Sequence, residues 1–141
     1  MTHSHFGVYG IILNLDQTQI LLIKKARGPY IGRYDLPGGS MESLELLEEC
    51  LYREIKEETG CAVINASQIK AVSTLFHYNN GKKDCTLRHI GVIYRAEIEG
   101  TPSATGDGED SNGCVWHDIK SIDPDKVSPF LLLALDCIEK K

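Results

Sequence analysis

The stretch from residue 36 to residue 63 constrains this chain most, because its periodicity predicts one amphipathic helix. At about 100° per residue, one apolar stripe collects Leu44, Leu47, Leu51 and Ile55. Glu54 and Glu58 project from that same stripe, and Glu57 lies beside it. A helix that packs on a core normally carries its carboxylates on the opposite face, so these three acids need an explanation.

The three acids leave two alternatives open. The polar face of the helix is already supplied by other residues, namely Glu45, Glu49, Tyr52 and Lys56. Carboxylates spaced three and four residues apart repel one another, and the cost grows when they are half-buried. Either the helix has an ordinary solvated acidic end, or a cation compensates the charge. The helix alone does not decide between them.

Composition limits the class of protein. A chain of 141 residues has the length of one domain, and we predict a single domain over residues 1–141. Hydrophobic residues make up 42% and charged residues 25%, as in soluble globular proteins. The formal net charge of −5 argues against an extended nucleic-acid surface. Five cysteines without a C-x-x-C pair, no leader-like start and no bilayer-length apolar run predict a cytoplasmic protein without membrane contact.

Hydrophobic patterning predicts strands on both sides of the helix. The expected strands are 6–15, 19–25, 63–66, 69–76, 86–98 and 114–119, with the first two forming a hairpin and residues 1–5 frayed. The acidic helix is expected to begin near residue 43 or 46 and to end at residue 59, before Gly60. Ser128 and Pro129 predict the start of a second helix over 130–139. This pattern favours an α/β fold with a mixed sheet packed between helices.

The spacing of the polar residues is more specific than the helix itself. Gly39 is followed after five residues by Glu45, and after seven more by the run REIKEETGC at residues 53–61. This pattern resembles the Nudix box of the Nudix hydrolase family at every fixed position, with Cys61 a mild departure where a larger aliphatic is usual. The lead-in YDLPGG at residues 34–39 also resembles the family. Leu44-Glu45-Leu46 departs from it, because family members often have Gly at the first position and a capping Ser or Thr at the third.

The resemblance implies an α/β/α sandwich around a mixed β-sheet, in which water attacks a diphosphate linkage with the help of Mg²⁺ or Mn²⁺. The implied metal ligands are Glu54, Glu57, Glu58 and the carbonyl of Gly39, or that of Gly38. Arg53 is implied to orient the acids through charge-assisted hydrogen bonds. Glu45 is expected to project away from them, in a structural role.

The general base and the substrate contacts are less constrained. The catalytic candidates are Arg53, Glu54, Glu57 and, from the Gly- and Asp-rich loop 99–113, Glu109. The base is left open between a glutamate of the box, such as Glu54, and the remote Glu109. Basic and aromatic residues outside the box are candidates for substrate binding, above all Arg27, Arg33, Phe76 and Tyr78, with Tyr30 and Trp116 as further stacking candidates. The histidines at 77, 89 and 117 have no ligand spacing and are interpreted as structural.

The predicted partner is a small-molecule nucleotide, and a homodimer is left open. The resemblance favours a pyrophosphohydrolase acting on a nucleoside di- or triphosphate or a nucleoside-diphosphate derivative. A dinucleoside polyphosphate hydrolase is an alternative, to which Tyr78 points, and a non-catalytic nucleotide sensor is another. The resemblance counts weakly against ADP-ribose, because family members that cleave it often carry a proline downstream of the box and none occurs here between Pro37 and Pro102. An isomerase of prenyl diphosphates is disfavoured, because such relatives are longer and use further catalytic residues.

Overall fold

The computed structural model describes residues 1–103 and 111–139. Its strands are β1 (Thr2–Ile11), β2 (Gln19–Lys25), β3 (Tyr34–Asp35), β4 (Gly38–Ser40), β5 (Ala62–Asn79), β6 (Asp84–Glu99) and β7 (Ser111–Asp118). Its α-helices are α1 (Leu47–Thr59) and α2 (Pro129–Glu139), and two short 3₁₀ helices, Ile119–Ser121 and Pro124–Lys126, precede α2. Neither α-helix of this described part is long and apolar enough to cross a membrane.

The strands form two sheets. The larger has the order β4-β1-β6-β5, in which β1 pairs with β6 in parallel and the other neighbours are antiparallel. The smaller has the order β3-β2-β7 and is antiparallel. β1 therefore lies between β4, which precedes the acidic helix, and β6. The mixed pairing agrees with the predicted fold class.

Each helix covers one face of these strands. Val8 of β1 and Ile12, which directly follows this strand, are buried in the same cluster as Leu51 and Ile55 of α1. Tyr9 and Ile11 alternate with them and are buried in the other cluster, which is completed by α2 through residues that include Phe130, Leu131 and Ala134. Because neighbouring side chains of a strand point to opposite faces, one strand serves both cores. The result is the helix, sheet and helix layering that the sequence predicted.

The start of the chain corrects two predictions. Residues 1–5 do not fray, because β1 begins at Thr2 and pairs with β6 from Thr86 onward. The predicted hairpin of residues 6–25 forms only at its tip, where Leu13 and Ile20 make an antiparallel bridge, because β1 and β2 themselves belong to different sheets. The predicted segments 63–66 and 69–76 are parts of one strand, β5, which two bulges interrupt. Local alternation predicts a strand but not its partner.

The helix α1 begins at the later of its two predicted starts and ends where predicted. Leu46 is the N-cap and offers no side-chain bond, while the Glu49 carboxylate accepts from the Leu46 N–H at 2.8 Å. Leu44 was predicted on the buried stripe, but it lies before the helix and its side chain is 98% exposed. Its φ of 66° places it in the left-handed region. At the other end Gly60 has a φ of 77° and terminates the helix, as predicted.

The start of α2 also agrees with its predicted cap. The Ser128 Oγ accepts a hydrogen bond from the N–H of Leu131 at 3.0 Å. The same hydroxyl donates to the carboxylate of Asp35 at 2.8 Å. The cap of α2 is thus tied to β3, on the chain segment that leads into β4 and the acidic helix.

Candidate active site

The acids of α1 meet the backbone of β4. The Gly38 N–H donates to the Glu58 carboxylate at 2.7 Å. A Cβ on Gly39 would lie 2.7 Å from a carboxylate oxygen of Glu54, so a larger residue here would displace this carboxylate from its position. The two glycines of the sequence pattern therefore have a physical role, which is to bring backbone groups next to the helix carboxylates.

Arg53 connects the acids to one another. Its guanidinium donates to Glu45 at 2.6 and 2.9 Å, and to Glu54 and Glu57 at 3.2 Å each. It also donates to the carbonyl of Ser40 at 2.9 Å. The hydrogen bonds from Arg53 lower the pKa of Glu45 to about 2. The expectation that Glu45 projects away from the cluster is wrong, because Glu45 holds the arginine that contacts Glu54 and Glu57.

The three box acids differ in burial. Glu58 is 3% exposed, whereas the side chains of Glu54 and Glu57 are 15% and 50% exposed. Glu57, which the sequence placed beside the apolar stripe, is therefore the most exposed of the three. Within residues 1–103 and 111–139, no three His, Cys, Asp or Glu side chains converge closely enough to hold a metal ion. The reason is visible in the contacts, since Glu58 is bonded to Gly38 while Arg53 contacts the other two acids.

The donor chemistry nevertheless fits a hard divalent cation. Three carboxylates and the carbonyl of Gly39 are oxygen donors, the type that Mg²⁺ and Mn²⁺ prefer. The Gly39 carbonyl lies 3.5 Å from the Cys50 Sγ, a weak donor. The acids and the glycine thus offer the right atoms on two adjacent elements, α1 and β4.

A cleft of about 370 Å³ adjoins these groups. Glu54, Gly38, Gly39 and Ser40 form one part of its lining, and the basic residues Lys25 and Arg27 form another. The remainder comes from β1, β6 and the segment between β2 and β4, through His3, Ser4, His5, Tyr9, Gly28, Pro29, Tyr30, Asp35, Leu87 and His89. A cleft that combines acids, basic side chains and ring systems suits a ligand that carries phosphates and a base or sugar.

The floor of the cleft is a buried polar cluster. The His89 Nε2 lies 2.7 Å from the Tyr9 hydroxyl, and its Nδ1 lies 2.9 Å from the Tyr30 hydroxyl. Burial lowers the pKa of His89 to about 3, so its imidazole is neutral at pH 7. Burial also raises the pKa of Asp35 to about 6, although the hydrogen bonds from Ser128 and Leu36 act in the opposite direction. Burial likewise raises the pKa of Tyr9 well above 10.

The predicted substrate contacts divide into two groups. Arg27 and Tyr30 line the same cleft as Glu54. Arg33 instead donates to the carbonyl of Val127 at 2.9 Å and lies over the ring of Phe76. Phe76 stacks on Tyr78, whose hydroxyl is 2.8 Å from the His3 Nε2. The predicted substrate contacts Arg33, Phe76 and Tyr78 therefore pack beside the cleft and are not part of its lining. The catalytic candidate Glu109 lies outside the described residues.

The sequence missed several residues of the lining. The histidines at positions 3, 5 and 89 belong to it, as do Lys25 and Asp35. His89 was interpreted as structural because it has no ligand spacing, and residues 1–5 were expected to fray. The parallel pairing of β1 with β6 brings these positions together, and neither strand alone carries a signal for that pairing.

Comparison with known proteins agrees with the geometry. A model of the NUDIX domain matches residues 3–133. The chain belongs to the Nudix family. The match begins at His3, so the segment that was expected to fray is part of the Nudix domain. Members of this family generally use divalent metal ions.

Individual relatives of this Nudix chain have related names. An ADP-ribose pyrophosphatase of Methanocaldococcus jannaschii is 35% identical over 105 residues, which are 74% of this chain and 57% of that protein. A putative 8-oxo-dGTP diphosphatase of Bacillus subtilis is 48% identical over 54 residues, 38% of this chain and 34% of that protein. The crystal structure of a MutT NUDIX hydrolase from Burkholderia pseudomallei matches with a TM-score of 0.77 and 25% identity, covering 96% of this chain and 98% of that one. Two of these names describe enzymes that cleave pyrophosphate bonds, and the chain spans 57% and 34% of the proteins that carry them.

Proposed function

We propose that this protein hydrolyses a diphosphate linkage in a nucleoside di- or triphosphate, or in a nucleoside-diphosphate derivative, with the help of Mg²⁺ or Mn²⁺. One observation supports this most directly. Glu54 and the backbone of Gly38 and Gly39 line the same cleft as Lys25 and Arg27. A diphosphate needs both kinds of group, because cations must neutralise its charge while a carboxylate-bound metal or a base activates water.

The proposed metal ligands are Glu57, Glu58 and the carbonyl of Gly39, with Glu54 as a further ligand or as the general base. A bound divalent ion would supply Lewis-acid polarisation of the phosphate oxygens and a lowered pKa for attacking water. The residues of the chain have separate tasks. Glu58 is fixed by the Gly38 N–H, and Arg53 fixes the carboxylates of Glu54 and Glu57. We assign Arg53 the orientation of these acids.

The proposed base is a box glutamate, with Glu54 favoured because it lines the cleft. Its side chain is only 15% exposed, and the Arg53 guanidinium contacts it at 3.2 Å. An adjacent cation favours the ionised carboxylate, which is the form that accepts a proton. The remote candidate Glu109 stays a prediction.

The substrate class is proposed at the level of nucleotides. The names of two relatives specify ADP-ribose and 8-oxo-dGTP, and both compounds contain a diphosphate linkage next to a nucleoside. The chain spans 57% of the first of these relatives and 34% of the second, so we propose neither compound as its specific substrate. The cytoplasmic location and the homodimer also stay predictions.

The test is a substrate panel with Mg²⁺ and with Mn²⁺, read by the identity of the products. The panel includes ADP-ribose, 8-oxo-dGTP, ordinary nucleoside triphosphates and a diadenosine polyphosphate. For the substrate that is cleaved, Glu57→Gln should lower kcat by about 100-fold or more, because it removes a metal ligand without changing the side-chain volume. Glu48→Gln is the matched control, since Glu48 is an exposed acid of the same helix, and it should leave kcat unchanged.

Two results would contradict the proposal. If no compound of the panel is cleaved but one binds tightly, the protein is a nucleotide sensor and the hydrolase assignment is wrong. If a compound is cleaved and Glu57→Gln matches Glu48→Gln, then Glu57 is not a ligand. Circular dichroism of each variant establishes that the fold is intact.

A further inference from the structure

One of the two basic residues of the cleft lies in a loop between two strands. Residues 26–33 connect β2 to β3, and Arg27 lies in this loop. Internal backbone hydrogen bonds shape the loop, including those from Ile31 to the Gly28 carbonyl and from Gly32 to the Lys25 carbonyl. These bonds set the local turn, and the one to Lys25 fixes the base of the loop to β2. Contacts with more distant elements come from side chains.

Tyr30 supplies the buried attachment. It is the only buried residue of the loop, with 4% of its surface exposed. Its ring packs edge-on against Phe76 of β5 with 5.0 Å between centroids. Its hydroxyl lies 2.9 Å from the Nδ1 of His89, which is 59 residues away in the sequence. The second attachment, from Arg33 to the Val127 carbonyl, is at the far end of the loop from Arg27.

His89 is itself held rigidly. Its ring stacks on Phe130 of α2, with 4.1 Å between centroids and 20° between planes. Its Nε2 bonds the Tyr9 hydroxyl of β1 at 2.7 Å. Gly91 allows this arrangement, because a Cβ there would overlap the Phe130 ring. A neutral imidazole has one donor and one acceptor nitrogen, so it satisfies the two tyrosine hydroxyls at once.

We propose that His89 is a positioning residue, which holds the loop 26–33, and with it Arg27, at the cleft through the hydrogen bond between its Nδ1 and the Tyr30 hydroxyl. Besides the hydroxyls of Tyr9 and Tyr30, the basic groups that face His89 are His5 and Lys25. Both basic groups disfavour a protonated imidazole, and burial does so more strongly. The ring therefore stays in the neutral form that bridges two hydroxyls. That Arg27 binds phosphate rests on the proposed function, whereas the attachment of the loop does not.

Two substitutions at one position separate the two hydrogen bonds. The amide of asparagine reaches the place of Nδ1, and the amide of glutamine reaches that of Nε2. His89→Asn therefore retains a partner for Tyr30, while His89→Gln retains one for Tyr9. Both variants lose the ring that stacks on Phe130, so the packing loss is common to them. Tyr30→Phe removes the loop hydroxyl alone, and Tyr94→Phe is its control, because the buried Tyr94 bonds Gln68 away from the cleft.

The first readout is the rate of tryptic cleavage after Arg27, followed by intact mass. The rate reports the population of the detached loop when opening is fast. Loss of one hydrogen bond should raise it about five-fold in Tyr30→Phe and in His89→Gln. His89→Asn and Tyr94→Phe should stay within about two-fold of the wild type. The proposal is overturned if Tyr30→Phe is cleaved at the rate of Tyr94→Phe, or if the Asn and Gln variants are cleaved alike.

The second readout is kinetic and uses the substrate that the panel identifies. A misplaced Arg27 weakens binding, so KM should rise about five-fold in Tyr30→Phe and His89→Gln, with kcat within about two-fold. A general loss of folded protein would lower kcat and leave KM unchanged, which would contradict the positioning role. If no substrate is cleaved, the proposed function fails while the proteolysis still decides whether His89 holds the loop.

Discussion

Two regions border the same cleft and are built in opposite ways. On the acidic side, the contacts join residues close in sequence, such as Arg53 with Glu57 four positions on, or Gly38 with Glu58 twenty positions on. On the floor, His89 bonds Tyr9 across 80 positions, and Ser128 bonds Asp35 across 93. The first region is dictated by helix geometry and one short strand. The second exists only once both sheets and α2 are in place.

The electrostatics differ in the same way. On the acidic side a cation dominates, and the Arg53 hydrogen bonds lower the pKa of Glu45 to about 2. On the floor desolvation dominates, and burial moves the pKa of His89 down to about 3 and that of Asp35 up to about 6. The acidic side therefore stabilises charged side chains, whereas the floor favours neutral ones. We expect the charged groups that take part in catalysis on the acidic side, and uncharged groups that position other residues on the floor.

The largest effect that sharpens this contrast is expected at Glu58, which belongs to the acidic side but is buried. Glu58→Gln keeps an oxygen for the Gly38 N–H and loses the charge, so kcat should fall about 100-fold with little change in stability. Glu58→Ala also leaves the buried N–H without this acceptor, which should lower the unfolding free energy by about 2 kcal/mol. Urea unfolding together with kcat measures both. Equal stability of the two variants would show that the Gly38 bond is unimportant.

A smaller effect is expected from Arg53, which contacts Glu45, Glu54 and Glu57. Arg53→Lys retains the charge but not the planar set of donors, so kcat should fall about tenfold. Glu45→Gln weakens the hydrogen bonds that hold the Arg53 guanidinium, so it should also lower kcat. Arg88→Lys is the control, because Arg88 is exposed and bonds only Ser4 among the contacts described. Unchanged kcat in Arg53→Lys would mean that charge alone matters.

The contrast also explains what the sequence could predict. The acidic side follows from the spacing of Gly39, Glu45 and residues 53–61, because turns of a helix place such residues together without reference to the rest of the fold. The floor depends on β1 pairing with β6 and on α2 covering β1, and no local pattern specifies these contacts. His89 therefore looked like an ordinary strand histidine. Phe76 and Tyr78 were predicted at the site because aromatic type is readable, whereas the face on which a ring packs is not.

The shifted pKa values of His89 and Asp35, on the floor of the cleft, should make the free energy of unfolding depend on pH. The pKa of His89 falls from 6.5 to about 3 on folding, so the unfolded chain binds the extra proton and stability decreases as pH falls below 6.5. The pKa of Asp35 rises from 3.8 to about 6, so the folded chain binds the extra proton and stability increases as pH falls from 6 to 3.8. The two residues therefore oppose each other over this window.

Single variants separate the two contributions. Relative to the wild type, Asp35→Asn should lose stability as pH is lowered from 6 to 4, and His89→Asn should gain it. Each slope is limited to about 1.4 kcal/mol per pH unit for one proton. Urea unfolding at several pH values gives the difference from wild type, in which other titrating groups cancel. Slopes of the same sign would mean that one of the two groups is not buried as described.

The smallest effects are expected just before α1, where neither the N-cap residue nor the residue with a positive φ is of the type usual at its position. Leu46 caps α1 without a side-chain bond and is 71% exposed, so Leu46→Ser should raise the unfolding free energy by about 1 kcal/mol by supplying an N-cap oxygen. Leu44 has a φ of 66°, and Leu44→Gly should add about 0.5 kcal/mol, because relief of the left-handed strain exceeds the extra entropy of the unfolded chain. Leu15→Gly is the control, since Leu15 is equally exposed but has no positive φ, and it should not stabilise. If Leu44→Gly behaves like Leu15→Gly, the turn before α1 carries no strain, and the departure from the family pattern at this position is without cost to the fold.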